Sequence, residues 1–176
     1  EITTGGSTDV GDISWVVPTG LFGWPTLPLG VSLHTWPVTA CGGMSIGDKV
    51  SLVTAKILAG AGCKIVITAG KKADLDAVAA ECQALGAEVE ALNMRPTTEA
   101  LCNDVCTAAV KRFGSVDILV VAQGKNDVSK ITDMSPERFL DVMDANVTQS
   151  WLMAKAATKQ MLVQGGGKII LMSSAR

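Results

Sequence analysis

The 176-residue sequence contains no tyrosine and a single histidine, His34. The lack of tyrosine excludes any mechanism in which a tyrosine hydroxyl of this chain acts as the acid or base. A single histidine excludes a metal site built from several histidines, and it leaves one candidate partner for a Ser-His or Cys-His pair.

Positive charge is missing from the first part of the chain. Residues 1–48 contain neither lysine nor arginine, and all 15 basic residues lie from Lys49 onward. The net charge of -2 argues against a nucleic-acid-binding protein, which would carry a basic face. We therefore expect no nucleic-acid partner.

The sequence also lacks the patterns typical of membrane and disulfide-rich proteins. No run of 18 uninterrupted apolar residues occurs, and the amino terminus is acidic and polar, so we expect no membrane span and no signal peptide. The five cysteines are odd in number and form no CxxC pair. Small buried cysteines in a reducing cytoplasm are the favoured interpretation.

Composition divides the chain near residue 48. Residues 1–47 are rich in proline, glycine and tryptophan and predict an irregular segment with short extended pieces such as Ile13–Val17. Residues 48–176 are rich in alanine, valine, leucine and lysine with regular periodicity, and they predict one α/β domain. The boundary is either a domain edge or a join between sequences of different origin.

The segment at this boundary has two interpretations. Apolar residues spaced three and four apart over Ser45–Ala61 predict one helix with a stop near Gly60. Alternatively, Lys49–Thr54 is a strand, but only about ten residues would then separate it from the next strand, the lower limit for a crossover. We favour one helix.

Strand and helix patterns alternate from Lys64 onward. Such alternation predicts a parallel sheet with right-handed crossovers and flanking helices, and we expect the four strands to lie side by side in one sheet. The run at 116–122 is almost continuously apolar, as is typical of a strand covered on both faces. The predicted strands are 64–69, 88–93, 116–122 and 168–173, and the predicted helices are Asp74–Leu85, Thr98–Phe113 and a long one from Ser135 to about Val163.

Several motifs in order resemble the short-chain dehydrogenase/reductase family. They are Phe113–Val120, Asp133–Phe139, Asn146-Val147 and Lys168–Arg176, and the resemblance covers about residues 59–176. It implies a partial Rossmann-like sheet, an NAD(P) cofactor, and hydride transfer at an alcohol or carbonyl carbon of a small molecule. It also implies a homo-oligomer that uses the long helix around Met143–Lys159. Alternatively, the apolar side of this helix only packs against the sheet.

The resemblance assigns roles residue by residue. Ser174 stands at the family's catalytic serine, and Asn146 stands at the helix asparagine that supports a water-linked proton relay. Gly124 keeps the last glycine of the family's Asn-Asn-Ala-Gly motif. Lys71 and Lys72 follow the predicted strand at 64–69, where they would attract a 2′-phosphate and favour NADP, or else are two solvated lysines.

Two parts of the family pattern are missing. The family's tyrosine and lysine should follow Ser174 by about a dozen residues, but the sequence ends at Arg176. The glycine-rich TGxxxGxG turn is also missing, because Thr54 runs directly into Ala55. Glycines in that turn let the backbone approach the pyrophosphate. We therefore expect an incomplete oxidoreductase that is inactive as this chain.

The missing turn has a consequence for the sheet. The family's central first strand has no clear counterpart here, so the strands on either side of it either pair directly or take Ile13–Val17 between them. Open edges would otherwise favour self-association. Arg95 stands where the family has an aspartate near the adenine.

The first part of the chain resembles a different family, the carboxy-terminal part of zinc-dependent amidohydrolases of the aminobenzoyl-glutamate hydrolase and aminoacylase type. His34 falls near that family's last metal ligand, but the other ligands are absent, and three are normally needed. A new site from His34 with Asp9, Asp12 and Cys41 is disfavoured, so we predict no metal. The alternative functions are a hydrolase fragment or a non-catalytic α/β module. The matching residues, about 5–59, are Gly6–Pro18, Leu33–Trp36, Gly43–Gly47 and Ala55–Leu58.

Exposed polar loops account for the remaining charged positions. Asn126, Asp127, Ser129 and Lys130 follow the third strand and are interpreted as a solvated loop. Asp117 and Asp133 are interpreted as exposed turn carboxylates.

Overall fold

The computed structural model describes residues 45–125, 127 and 129–172, with side chains from Leu52 onward. Helices and strands alternate through this part of the chain. They are α1 (Ser45–Gly60), β1 (Ile65–Thr68), α2 (Lys72–Ala84), β2 (Val89–Leu92), α3 (Glu99–Phe113), β3 (Ile118–Val121), α4 (Pro136–Met143), a π-helical turn (Asp144–Thr148), α5 (Gln149–Gln164) and β4 (Lys168–Leu171).

Local signals set several helix ends where the sequence predicts them. The Thr98 hydroxyl accepts a hydrogen bond from the Leu101 N–H at 3.3 Å and caps α3, which ends at Gly114 with a φ of 95°. Ser135 caps α4 in the same way, and Pro136 occupies its first turn, where no N–H partner is lost. Because these signals are local, they are readable without the tertiary structure.

The boundary segment forms one helix. α1 runs continuously from Ser45 to Gly60, so the prediction of a helix is confirmed and the strand at Lys49–Thr54 is not seen. The helix packs on α2 and β1, and Ala59 is buried beside Ile65 and Cys82.

The expectation of one four-stranded sheet is wrong for the described residues. β1 pairs with β2 in parallel, with Ile65 opposite Val89, and β3 pairs with β4 in parallel, with Ile118 opposite Lys168. These are two separate two-stranded sheets. The α/β architecture with parallel strands and flanking helices is confirmed, but within the described ranges nothing pairs the inner edges of β1 and β3.

The helix predicted from Ser135 to about Val163 is interrupted. α4 ends at Met143, a π-helical turn covers Asp144–Thr148, and α5 continues to Gln164. A π turn shifts the register of side chains by one residue, and such turns are frequent at functional sites. Asn146 lies in the middle of this turn.

Small side chains and sulfur dominate the core. Cys102, Cys106 and Ala157 are at most 2% exposed where α3 packs on α5, and Cys82 of α2 is fully buried in a cluster with Ala59 and Ile65. The prediction of buried, unpaired cysteines is confirmed for Cys82, Cys102 and Cys106. Burial raises the pKa of Cys106 to about 11. Within the described residues, no helix is long and apolar enough to cross a membrane.

Candidate functional site

A cavity lies between the two half-sheets of the described residues. It has a volume of about 1200 Å³ and is lined along its length by β1 and β3 and the residues that follow them. Its far end includes Gly70, Arg95, Gly124 and Lys125, which lie at or beyond the carboxyl ends of the strands. Ligands of open α/β sheets bind at this edge, so we take it as the candidate site.

Asn146 joins the π turn to the loop after β3. Its Oδ1 accepts a hydrogen bond from the Lys125 N–H at 2.9 Å, and its Nδ2 donates to the Lys125 carbonyl at 2.8 Å and the Val142 carbonyl at 2.9 Å. A Cβ on Gly124 would lie 3.1 Å from Oδ1, so glycine allows the close approach. The structure therefore brings together two of the predicted site residues, Asn146 and Gly124.

The same loop is held by a second contact from α4. Lys125 forms an ion pair with Asp141, and both residues line the cavity. The backbone carbonyl of Asn146 accepts a hydrogen bond from the Ser150 hydroxyl at 2.8 Å. Asn146 therefore acts in this structure as a positioning residue, and its predicted part in a proton relay stays a prediction.

Asp127 is not the solvated loop residue that the sequence suggests. Its side chain is 15% exposed, the Arg138 Nε donates to it at 2.7 Å, and the Ser129 hydroxyl donates to it at 2.8 Å. The Arg138 guanidinium makes two contacts with the carboxylate, an arrangement that favours the charged form. The hydrogen bond from Arg138, followed by that from Ser129, lowers the pKa of Asp127.

We expect Arg138→Met to raise the pKa of Asp127 toward the ordinary value of about 3.9. A lowered native pKa stabilises the fold at pH values above the unfolded-state pKa, and this contribution is lost as the pH falls through the native pKa. The variant should therefore be less stable than the parent at neutral pH, and the difference should shrink in acid. Carboxyl chemical shifts and urea unfolding at several pH values measure both effects.

Arg112→Met is the matched control. Arg112 makes long contacts to Glu88 and Glu90, at 3.8 and 3.9 Å, and its guanidinium lies 5.4 Å from the centre of the Phe113 ring, away from Asp127. It should leave the pKa of Asp127 unchanged. An Asp127 pKa that stays low in Arg138→Met would contradict the assigned cause.

The other predicted binding residues lie beyond β1. Lys71 is 3.6 Å from Asp74 and Lys72 is 2.9 Å from Asp76, and all four side chains are exposed. Next to them, Arg95 packs over Gly70, where an added Cβ would collide with the arginine side chain. The arrangement groups cations at this edge, but both lysines already have acidic neighbours, which also fits the interpretation as solvated residues.

Several of the predicted site residues lie outside the part of the chain that the structure describes. Ser174 and His34 lie outside the described residues, as does any site with Asp9, Asp12 and Cys41. Across the part that is described, no cluster of three metal-binding side chains occurs. Asp117 and Asp133 are exposed, as expected.

Sequence reasoning missed two features of the site. It gave no sign of the π turn, and it did not pair Asp127 with Arg138, which lie 11 residues apart. The spacing of an acid in a loop and an arginine in the next helix is a weak signal, because many loops contain such pairs. Only the packing of the loop on α4 shows that they meet.

Comparison with known proteins defines the class. The short chain dehydrogenase family model matches residues 41–176, and the chain belongs to this family. An uncharacterized oxidoreductase of Mycobacterium tuberculosis is 38% identical over 143 residues, covering 75% of this chain and 52% of that protein.

Solved structures agree with this assignment. A short-chain type dehydrogenase/reductase from Mycobacterium marinum is 29% identical with a TM-score of 0.68, over 71% of this chain and 51% of that one. An NAD⁺-bound xylitol dehydrogenase is 26% identical with a TM-score of 0.68, over 74% and 50% of the two chains. The chain thus spans about half the length of the relatives that it matches.

The family match also bears on the second resemblance. It begins at residue 41 and so includes residues 41–59, which the hydrolase resemblance also covers. The division into segments 1–47 and 48–176 stays a prediction, and the hydrolase resemblance has no support among the described residues.

Proposed function

We propose that this chain carries the fold of an NAD(P)-dependent oxidoreductase that acts on an alcohol or carbonyl group of a small molecule in the cytoplasm, and that the chain alone does not catalyse the reaction. The observation that carries the proposal is the loop after β3, held by Asn146 at the carboxyl edge of the strands. The family membership gives the reaction class.

The residues present fit one end of a dinucleotide better than the other. Lys71, Lys72 and Arg95 gather positive charge beyond the ends of β1 and β2, where an adenosine phosphate would be attracted. This supports NADP over NAD. Gly124 leaves room for a ligand or for Asn146 to approach the backbone after β3.

The diphosphate end does not fit. A diphosphate is held by a glycine-rich turn at a helix amino terminus, where free N–H groups point at the anion. Here Leu52–Gly60 is continuous helix with no glycine before Gly60, so this stretch offers no such turn. We derive no reaction step through the cofactor in this chain.

The acid–base chemistry is also incomplete. The chain has no tyrosine. Lys159, the lysine nearest in sequence before β4, donates to Glu99 at 3.1 Å on the α3–α5 surface. The hydrogen bond from Lys155, followed by that from Lys159, lowers the pKa of Glu99. Lys159 is therefore engaged away from the cavity. Ser174 would bind the reacting oxygen, but a hydroxyl alone supplies no acid of suitable pKa.

Titration with NADPH and NADH tests this proposal. We expect no saturable change of nicotinamide fluorescence at ordinary protein concentrations, because the diphosphate anchor is missing. A full-length relative of known cofactor specificity serves as the positive control. A dissociation constant in the micromolar range would contradict the expectation.

If weak binding is detected, the double variant Lys71→Glu, Lys72→Glu locates it. The pair of substitutions should abolish a preference for NADPH over NADH if the lysines attract the 2′-phosphate. Lys111→Glu is the control, because it removes a lysine from α3 outside the cavity lining. If the preference for NADPH over NADH is unchanged in the double variant, Lys71 and Lys72 are solvated lysines that do not bind the 2′-phosphate.

We also propose that the chain self-associates through the α4–α5 surface. Phe139, Met143, Val147 and Trp151 follow one another at intervals of four residues and are 40–58% exposed. Trp151→Glu should shift the mass measured by light scattering toward the monomer, whereas Leu162→Glu, 77% exposed on α5, should not. A parent chain that is already monomeric would refute this proposal.

A further inference from the structure

Arg95 lies just beyond the carboxyl end of β2 and reaches across to the end of β1. It lines the cavity together with Gly70, which follows β1. A Cβ added to Gly70 would collide with the Arg95 Nε and would lie 3.1 Å from its Cγ and Cδ. Glycine is needed at this position because any side chain would displace the arginine from the end of β1.

The backbone that carries Arg95 is held on both sides. Before it, the Asn93 Nδ2 donates to the Ala69 carbonyl at 2.9 Å and ties the end of β2 to the end of β1. After it, Pro96 is buried, and its carbonyl accepts a hydrogen bond from the Cys102 thiol at 3.3 Å. The proline also restricts the backbone of the residue before it. Only the arginine side chain has to be ordered when a ligand binds, which lowers the entropic cost of binding.

The guanidinium of Arg95 forms no ion pair with any carboxylate of the described residues. The two lysines at the start of α2 differ in this respect. Lys71 lies 3.6 Å from Asp74, and Lys72 lies 2.9 Å from Asp76. Of the three cations at this edge of the cavity, Arg95 is therefore the one whose charge an anion from solution can pair with directly.

We propose that Arg95, held over Gly70, binds the dianion of a phosphate monoester at the carboxyl ends of β1 and β2. The planar guanidinium presents paired N–H donors that match two phosphate oxygens. Its Coulomb attraction to a dianion is about twice that to a carboxylate at the same distance. The inference rests on the proposed function for the source of this group, the 2′-phosphate of NADP, and it assigns the contact to Arg95 and not to Lys71 or Lys72.

Titration of the isotope-labelled full chain with small phosphates tests the site by nuclear magnetic resonance. The probes are adenosine 2′-monophosphate and inorganic phosphate, and the signals followed are the Arg95 Nε–H and the Gly70 amide. We expect both signals to shift in a saturable manner with adenosine 2′-monophosphate and to shift little with adenosine or acetate. Neither probe contains a diphosphate, so the outcome is independent of whether NADPH binds to the chain.

Removing the guanidinium should weaken the binding. Arg95→Met is expected to raise the dissociation constant for adenosine 2′-monophosphate at least about tenfold, because a charge-assisted pair is lost. Arg95→Lys keeps the charge without the paired donors, so we expect a smaller loss of about threefold. Lys111→Met is the control for charge, because it removes a cation from α3 outside the cavity lining and should leave the affinity unchanged.

Gly70→Ala tests the geometry while every charge is kept. The added Cβ displaces the arginine side chain, and we expect the affinity for adenosine 2′-monophosphate to fall several-fold. The collision is with a flexible side chain, so the fold should be retained, which the remaining amide signals check. Gly60→Ala is the matched control, because a Cβ at Gly60 meets no atom within 4 Å.

The two probes distinguish the sources of the phosphate. Tighter binding of adenosine 2′-monophosphate than of inorganic phosphate supports the site and assigns it to the cofactor, whereas equal binding supports the site and assigns it to free phosphate. An affinity that is the same in Arg95→Met as in the parent would overturn the proposal, as would equal binding of adenosine or acetate. A loss in the double variant Lys71→Met, Lys72→Met as large as that in Arg95→Met would also overturn it and would give the phosphate to the lysines.

Discussion

Asn146→Leu is expected to lower the free energy of unfolding by about 2–3 kcal/mol, because three hydrogen bonds are lost and each contributes about 0.5–1.5 kcal/mol. The partners are the Lys125 N–H, the Lys125 carbonyl and the Val142 carbonyl, all within 2.9 Å of the amide. Leucine has nearly the same volume, so the loss reports on hydrogen bonding more than on packing. Urea unfolding at neutral pH measures the change.

The variant should also release the loop after β3. The Lys125 amide is expected to exchange faster with solvent once its acceptor is removed, while amides in α2 keep their protection. Asn103→Leu is the matched control, because Asn103 is a half-buried asparagine on α3 away from this loop. If Asn103→Leu loses as much stability as Asn146→Leu, the conclusion that Asn146 holds the loop after β3 is contradicted.

Leu75→Ala is expected to destabilise the fold by about 3 kcal/mol, within the range measured for truncating buried leucines. Leu75 is 3% exposed and is one of the three buried residues of α2, the helix that packs on α1, β1 and β2. The helix begins at Lys72, so its loosening would also displace the cationic edge next to β1. Thermal and urea unfolding give the size of the effect.

Leu162→Ala is the control of the same chemistry. Leu162 is 77% exposed on α5, and we expect a change within about 0.5 kcal/mol. Similar losses in the two variants would mean that α2 does not pack as described. A loss confined to Leu75→Ala, with faster amide exchange in β1 and β2 but not in β3, would show that the two half-sheets unfold as separate units.

Most elements were predictable because their signals are local. Thr98 and Gly114 bound α3 as their capping preferences predict, and the apolar spacing over Ser45–Ala61 correctly predicted α1. The β-branched runs predicted all four strands to within two residues at each end. The family resemblance assigned Gly124 to cofactor binding and Asn146 to a proton relay; the structure places the two residues side by side, and their roles stay predictions.

The failures share a different cause. Nothing in the run of residues 135–163 marks the π turn at Asp144–Thr148, because helix periodicity changes by a single residue there. Asp127 was interpreted as solvated because its neighbours are polar, whereas Arg138 and Ser129 cover it. Both features depend on how the loop after β3 packs on α4.

The sequence by itself determined the order of helices and strands, the caps of α3 and α4, the burial of Cys82, Cys102 and Cys106, and the family, since each depends on neighbouring residues or on short ordered motifs. Tertiary structure alone decided that the four described strands form two pairs with a cavity between them, because pairing depends on which edges meet in space. It also decided that Asn146 holds the loop after β3, since that contact joins backbone groups 21 residues apart.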